Sequence, residues 1–301
     1  MKVDSMERAG VGFCPASFGE LLQGVLPGQQ KFLVNLRIRR GSRVKVKLVS
    51  PLYSAEKEVQ IAVSYQSYPK TYKLLRNVLA DLGSHDDCLF EIQSDVPVGK
   101  GLSSSTADMV AAVRGLAQAA SVAFREDYIG RVITEIEPND GLQYQGTAAY
   151  HHTSGQLIEC LDWVPPFRIL GVDFGGIVDT VSFNQKKIEF SAAQMERYKC
   201  LLQDILDALR ARDSRAVAAI ASESTRLWQA FRPRDEMEEM FEIQAATGGL
   251  GVVNAHSGTH LGLLYDPVRT DWEDIRERVT AAFPGKENDW FDTLYPDSSQ
   301  K

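Results

Sequence analysis

A run of glycines, hydroxyl side chains and one lysine has the composition of a phosphate-binding loop. It reads Pro97-Val98-Gly99-Lys100-Gly101-Leu102-Ser103-Ser104-Ser105-Thr106-Ala107. The glycines allow the backbone to approach a bulky anion, a following helix offers unpaired N–H groups and the positive end of its dipole, and the hydroxyls can hold phosphate oxygens or Mg²⁺. The run matches neither the Walker A pattern nor G-x-G-x-x-G. The alternative interpretation is an ordinary serine-capped helix after a tight turn.

An acidic segment further along the chain surrounds a proline. It reads Glu135-Ile136-Glu137-Pro138-Asn139-Asp140-Gly141. From these residues alone, Asp140 is better interpreted as part of an Asx turn after a helix-stopping proline.

The histidines do not form a recognisable site of their own. His151 and His152 with Cys160 fit no metal-ligand spacing, so we interpret the two histidines as a solvent-facing loop pair. His256 precedes Ser257, but adjacent side chains rarely face each other and no G-x-S-x-G elbow is present, so a nucleophile–base pair is not predicted.

The first half of the chain contains the elements that must position these residues. The pattern is strand-like from residue 11 to about 63, with clear alternation at 34–38 and 44–49. Apolar spacing predicts a helix over 68–82, a strand over 88–96 and a helix over 103–120. The serine and threonine cluster therefore lies in the first turn of a helix that follows a strand and a loop.

The second half mixes helices and strands in the same way. A helix over 125–136 stops before Pro138, and the Pro165-Pro166 pair is the candidate domain boundary. The other predicted elements are strands over 155–161, 167–172, 251–254 and 259–265, and helices over 191–212, 214–231, 235–247 and 272–283. Repeated strand–helix–strand units are few, which favours an α+β fold over a doubly wound parallel sheet.

Composition and charge narrow the class of partner. The chain has 301 residues, 44% hydrophobic and 24% charged, with 33 Lys and Arg against 40 Asp and Glu. A net charge of −7 argues against a general electrostatic grip on nucleic acid or a membrane surface. Residues 1–10 lack the apolar core of a signal peptide, and the four cysteines are scattered, which together predict a cytoplasmic protein. The oligomeric state stays open.

Three segments together resemble the motifs of the galactokinase, homoserine kinase, mevalonate kinase and phosphomevalonate kinase superfamily, the GHMP kinases. The run at 97–107 is similar to the second motif. Cys14-Pro15-Ala16-Ser17-Phe18-Gly19-Glu20-Leu21-Leu22-Gln23-Gly24 is similar to the first, and Gly248-Gly249-Leu250-Gly251 with Ala255-His256-Ser257-Gly258-Thr259 takes the place of the third. The particular residues of the three segments and of 135–141 resemble the L-threonine kinase branch, which serves cobalamin side-chain synthesis.

The resemblance implies an α+β GHMP kinase fold. An N-terminal domain like ribosomal protein S5 domain 2 would span 1–165, and a ferredoxin-like C-terminal domain would span 166–301, with ATP and substrate between them. The implied activity is ATP-dependent phosphorylation of the hydroxyl of a small metabolite, L-threonine in the first place. The alternatives are a kinase for homoserine or another small alcohol, and a nucleotide-binding regulator without turnover.

The resemblance also assigns roles to particular residues. Ser105 falls on the Mg²⁺-ligating serine, and Glu137 or Glu135 would be a second metal ligand. Asp140 would meet the acceptor hydroxyl, and residues 17–24 would help to shape the acceptor pocket. The nucleotide-binding positions are Pro97, Gly99, Lys100, Gly101, Leu102, Ser103, Ser104, Ser105 and Thr106, with Lys100 as a charge partner for phosphate or simply a solvated loop lysine.

The sequence departs from the superfamily pattern at two places. Ser103 stands where many members have glycine, and we expect it to keep the loop intact because serine caps helices well. His256 and Ser257 replace part of a glycine run in the third motif, so contacts in that loop transfer less readily.

Overall fold

One antiparallel sheet connects the two halves of the chain. The computed structural model describes residues 8–49, 55–176, 189–256 and 258–294. In these ranges the strands are β1 (Ala9–Leu26), β2 (Gln30–Val49), β3 (Asp87–Ser94), β4 (Thr147–His151), β5 (Gln156–Leu161), β6 (Arg168–Asp173), β7 (Gly251–Asn254), β8 (His260–Tyr265) and β9 (Glu287–Asp292). Their order is β5-β4-β2-β1-β7-β8-β6-β9, and β3 adds to β2.

Helices cover this sheet and enclose its core. Over the same ranges they are α1 (Ala55–Ser67), α2 (Pro69–Asp81), α3 (Ser104–Ala120), α4 (Glu126–Thr134), α5 (Ala192–Arg210), α6 (Ser214–Trp228), α7 (Met237–Ala246) and α8 (Trp272–Ala282). The alanine-rich α3 packs against β1 and β2, and α6 packs against β7 and β1. None of the helices in the described ranges is both long and apolar enough to cross a bilayer.

The long hairpin of β1 and β2 is irregular in the middle of β1. The register between the two strands shifts three times between Pro15 and Leu22. A bulge bends a strand and re-aims its side chains. The first of the three sequence motifs therefore lies where β1 leaves regular pairing, and its residues are free to serve a site.

The two halves of the sheet meet where β1 lies beside β7. Glu20 of β1 pairs with Asn254 of β7, and an isolated bridge joins Ile38 to Thr293. The boundary placed after residue 165 stays a prediction, and the first strand beyond it, β6, begins at Arg168.

The α+β fold class is confirmed, and most elements lie within a few residues of their predicted bounds. The prediction of strand structure up to residue 63 was wrong over 55–63, because α1 occupies 55–67, and residues 50–54 lie outside the described ranges. Its sequence is rich in Ala, Glu, Lys and Gln, which favour helices. β4 and β9 were not predicted, since β4 is short and β9 is rich in Asp, Asn and Glu. Pairing with neighbouring strands forms both elements in spite of their weak strand propensity.

Candidate active site

The loop between β3 and α3 turns sharply through three residues with positive φ. Gly99 and Gly101 have φ of 73° and 80°, and Ser103 has φ of 56° and ψ of 30°. Ser103 occupies the N-cap position, but its side chain makes no capping hydrogen bond. The expectation that Ser103 caps α3 was therefore wrong. A left-handed backbone explains why glycine suits this position, and the Ser103 hydroxyl instead bonds to Asp140.

Residues of the other two motifs donate backbone hydrogen bonds to this loop. The Gly19 N–H donates to the Gly101 carbonyl at 3.2 Å, and the Thr259 N–H donates to the Lys100 carbonyl at 3.1 Å. A Cβ placed on Gly258 would lie 2.1 Å from the Lys100 carbonyl oxygen. Ser257 lies outside the described residues. The three motifs, distant in sequence, thus form one packed unit around the start of α3.

A cavity of about 490 Å³ opens at this unit. Eight of the predicted site residues line it: Gly99, Gly101, Ser103, Ser104, Ser105, Thr106, Glu137 and Asp140. The α3 N-terminus therefore points its unpaired N–H groups and the positive end of its dipole toward an enclosed space.

Asp140 reaches this cavity from the loop after α4. Its Oδ2 accepts a hydrogen bond from Thr106 Oγ1 at 2.9 Å, and its backbone carbonyl accepts one from Asn35 Nδ2 at 3.1 Å. The Asx turn belongs to Asn139, whose Oδ1 accepts from the Gly141 N–H at 2.8 Å. The Asp140 side chain is thus not occupied in the turn and faces the cavity.

The environment of Asp140 favours its neutral form. Burial raises its pKa to about 7, with a further contribution from the negative charge of Glu20, while hydrogen bonds from Thr106 and Ser103 act in the opposite direction. A carboxyl group that titrates near neutral pH is suited to accept and release a proton.

Glu137 connects α2 to the start of α3. Its Oε1 accepts a hydrogen bond from the Ser105 hydroxyl, and its Oε2 pairs with the Lys70 ammonium. The Glu137 side chain is buried, whereas Lys70 is half-exposed at the cavity rim. Two hard oxygen donors, a hydroxyl and a carboxylate, therefore lie side by side at the helix N-terminus.

Four predicted site residues lie apart from the cavity. Leu102 is buried in the core and Pro97 is exposed beside the loop. Glu135 pairs with Arg131 at 2.6 Å at the surface end of α4 and does not line the cavity that Glu137 lines. The Lys100 ammonium pairs with Asp173 at 2.6 Å and donates to the Gly176 carbonyl.

The partners of Asp173 show that the ion pair with Lys100 is firm. Burial acts to raise the pKa of Asp173, but hydrogen bonds from Lys100 and Thr259 outweigh burial and hold the pKa at about 2. Lys100 therefore ties the loop to β6, and among the described residues Lys70 is the lysine that lines the cavity.

Sequence reasoning missed several cavity residues, Lys70 and His152 among them. Lys70 was hidden because a lysine in the first turn of a helix carries no pattern of its own. His152 was interpreted as solvent-facing, yet it is 4% exposed and lines the cavity. Its backbone carbonyl accepts a hydrogen bond from the Asn139 N–H, so strand β4 and the Asp140 loop are linked. Glu20 and Gln23 of the first motif line the same cavity.

The cavity fits a metal bound mainly by its substrate. Among the described residues, no three His, Cys, Asp or Glu side chains cluster as a metal cage. Mg²⁺ commonly takes one or two protein oxygens together with phosphates and waters. The pair of Ser105 and Glu137 suits that mode of binding.

Comparison with known proteins agrees with this architecture. Residues 69–149 match the family model described as the GHMP kinases N terminal domain. L-threonine kinases of Salmonella typhimurium and Citrobacter freundii are 25% and 24% identical to the chain. The match to the Salmonella protein covers 91% of this chain and 88% of that protein. The match to the Citrobacter protein covers 90% of this chain and 91% of that protein.

The fold is shared with a solved structure as well. A homoserine kinase from Cytophaga hutchinsonii superposes with a TM-score of 0.71 at 12% identity, covering 98% of this chain and 97% of that one. The matched domain and the common fold agree with each other: residues 69–149 match the GHMP kinases N terminal domain, within a fold that the chain shares with this homoserine kinase.

Proposed function

We propose that the protein is an ATP-dependent kinase that phosphorylates the hydroxyl of L-threonine. The observation that carries this proposal is the position of Asp140, whose carboxylate faces the same cavity as the α3 N-terminus and the Ser105–Glu137 pair. A base beside an anion site is what transfer of a phosphoryl group to an alcohol requires. The similarity to two L-threonine kinases supports this choice of acceptor.

The nucleotide would lie along the loop and the rim of the cavity. GHMP kinases use ATP as their substrate, and its phosphates would be met by the backbone N–H groups at the start of α3. Tyr68, Pro69 and the 73%-exposed Val98 line the rim on this side and offer apolar contact to a purine base. The Lys70 ammonium would neutralise part of the phosphate charge.

Mg²⁺ would be held by Ser105 and Glu137. Bound there, it would neutralise charge on the phosphates and orient them for transfer. Ser105 and Glu137 are already in contact, so both oxygens are placed before any ligand arrives. Lys70, which pairs with the other oxygen of Glu137, fixes the orientation of that carboxylate.

Asp140 would orient the acceptor hydroxyl and accept its proton. Thr106 donates to Oδ2 and the Ser103 hydroxyl also donates to the carboxylate, and together they hold it at the cavity. Asn35 fixes the backbone of the same residue, so the carboxylate is positioned by both its side chain and its main chain. A carboxylate held in this way would contribute to catalysis by positioning the acceptor hydroxyl and by interacting with the charge that develops on the attacking oxygen.

A panel of amino alcohols tests the acceptor. We expect kcat/KM at saturating MgATP to be highest for L-threonine and lower for L-serine by roughly 10-fold to 200-fold, the effect of one methyl-sized contact. Homoserine carries its hydroxyl one carbon further from Asp140 and should be poorer still. A preference for homoserine or a sugar alcohol would contradict the threonine assignment, and ATP binding without turnover on any acceptor would favour the regulator alternative. A cytoplasmic location and a role in cobalamin side-chain synthesis stay predictions.

A further inference from the structure

The inner end of the cavity contains buried polar side chains without protein partners. Glu20, Gln23 and His152 are 6%, 8% and 4% exposed, and all three line the cavity with Leu33. Gln23 Oε1 and His152 Nδ1 have no hydrogen-bond partner within the described ranges. Buried polar groups are nearly always paired, so unpaired groups beside a cavity point to a ligand that pairs with them.

Glu20 is held at this end by a histidine of the third motif. The Oε2 atom of Glu20 accepts hydrogen bonds from His256 Nδ1 at 2.8 Å and from the His256 backbone N–H at 3.2 Å. His256 is fully buried. Glu20 also pairs with Asn254 of β7, which places it where the two halves of the sheet meet.

Both ring nitrogens of His256 have hydrogen-bond partners. Its Nδ1 donates to Glu20, and its Nε2 lies 3.4 Å from Ser224 Oγ and can accept from that hydroxyl. The Ser224 oxygen in turn accepts from the Gln23 backbone N–H. These bonds hold the Glu20 carboxylate in place at the inner end of the cavity.

His152 adds no positive charge to balance Glu20. Burial lowers its pKa to about 3, with smaller contributions from Lys31, His151 and His256. Asp140 lies close enough for the charge of Glu20 to raise its pKa. Two carboxyl groups and two neutral polar side chains therefore share this end of the cavity, and such a cluster favours a cationic ligand group.

We propose that Glu20, positioned by His256, binds the ammonium group of the acceptor and so restricts the kinase to amino alcohols. This inference rests on the proposed function and deepens it. An ammonium carries three hydrogen-bond donors. Glu20 supplies the charged acceptor, Gln23 and His152 line the same end, and Leu33 offers an apolar contact to the acceptor's methyl group.

The chemistry at Asp140 explains why such a contact serves the reaction. An ammonium bound to Glu20 offsets the negative charge that opposes ionisation of Asp140. Binding of an acceptor with an ammonium group therefore favours the ionised form of Asp140. An acceptor without nitrogen leaves the charge of Glu20 unbalanced, and the pKa of Asp140 stays raised.

The test compares L-threonine with (R)-3-hydroxybutyrate, which has the same hydroxyl, methyl and carboxylate groups but no nitrogen. Initial rates are measured at saturating MgATP for the wild-type protein and for Glu20→Gln, with Glu91→Gln on strand β3 as the control. We expect the wild-type kcat/KM to favour L-threonine by at least roughly 10²-fold, since a site built to bind a charged donor rejects an analogue without it.

Glu20→Gln should lower kcat/KM for L-threonine by about 10²-fold while leaving the KM for ATP unchanged. It should have little effect on (R)-3-hydroxybutyrate, so the discrimination between the two acceptors falls. Glu91→Gln should retain the wild-type ratio. His256→Gln should weaken L-threonine binding less than Glu20→Gln does. In the double variant, His256→Gln should add little to the loss caused by Glu20→Gln, because both changes act on the Glu20 carboxylate.

Two results would overturn the inference. One is a wild-type enzyme that phosphorylates both acceptors equally well, a result that does not depend on how any variant folds. The other is a folded Glu20→Gln variant, judged by an unchanged Tm, that keeps the wild-type discrimination. Failure of the wild-type protein to phosphorylate L-threonine at all would instead contradict the proposed function.

Discussion

Asp140→Asn is expected to lower kcat by roughly 10²-fold or more, the usual contribution of a positioned general base. The substitution keeps the size of the side chain and its contact with Thr106, but it removes the charge and the ability to accept a proton. The KM for ATP should change little, because the nucleotide contacts lie on the loop and α3. The measurement is a steady-state assay of ADP release with L-threonine.

The pH profile provides the control for this prediction. Burial and the charge of Glu20 raise the pKa of Asp140 to about 7, so the ionised base is lost as the pH falls through that value. The wild-type kcat/KM should therefore rise with pH up to a plateau above pH 7, and Asp140→Asn should lose this dependence. A variant with near-normal turnover and an unchanged profile would show that Asp140 is not the base.

Gly258→Ala is expected to lower kcat/KM by about 10²-fold although the residue touches neither substrate. The new Cβ would lie 2.1 Å from the Lys100 carbonyl oxygen and 2.4 Å from the Gly101 Cα, so the backbone of the phosphate loop must move. Misplacement of reacting groups by about 1 Å lowers the rate by about 10²-fold. The assay is kcat/KM for ATP, together with direct nucleotide binding.

Gly28→Ala in the turn between β1 and β2 is the matched control. Gly28 has a φ of 85°, and no atom of the described residues lies within 4 Å of the position that a Cβ would take there, so the alanine strains the backbone by about 1 kcal/mol without a clash. Its activity should stay near that of the wild type. Equal losses in the two variants would indicate general destabilisation, and an active Gly258→Ala would mean that the third motif does not support the loop.

Local patterns in the sequence were sufficient to predict most of the helices and strands. The apolar spacing of α3 and the alternation in β2 are intrinsic to those segments, so their predicted elements agree with the structure. β9 could not be predicted in this way. Its strand depends on pairing with β6, more than a hundred residues earlier in the chain, and its acidic residues give no strand pattern.

The candidate site was only partly accessible from the sequence. The serine run and Asp140 were identified because their types and order form a motif. The sequence could not show that Lys70 lines the cavity while Lys100 does not, because Lys100 pairs with Asp173, which is distant in sequence. Nor could local reasoning show that Ser103 takes a left-handed backbone, or that His152 turns inward beside Gln23.

The most direct test of the central claim is identification of the product by ³¹P NMR and mass spectrometry. The protein is incubated with ATP, Mg²⁺ and L-threonine, and parallel samples lack either Mg²⁺ or the amino acid. We predict equal amounts of ADP and O-phospho-L-threonine in the complete mixture, and neither product above background when Mg²⁺ or L-threonine is omitted. ADP formation without O-phospho-L-threonine, or no ATP turnover by the folded protein, would contradict the account.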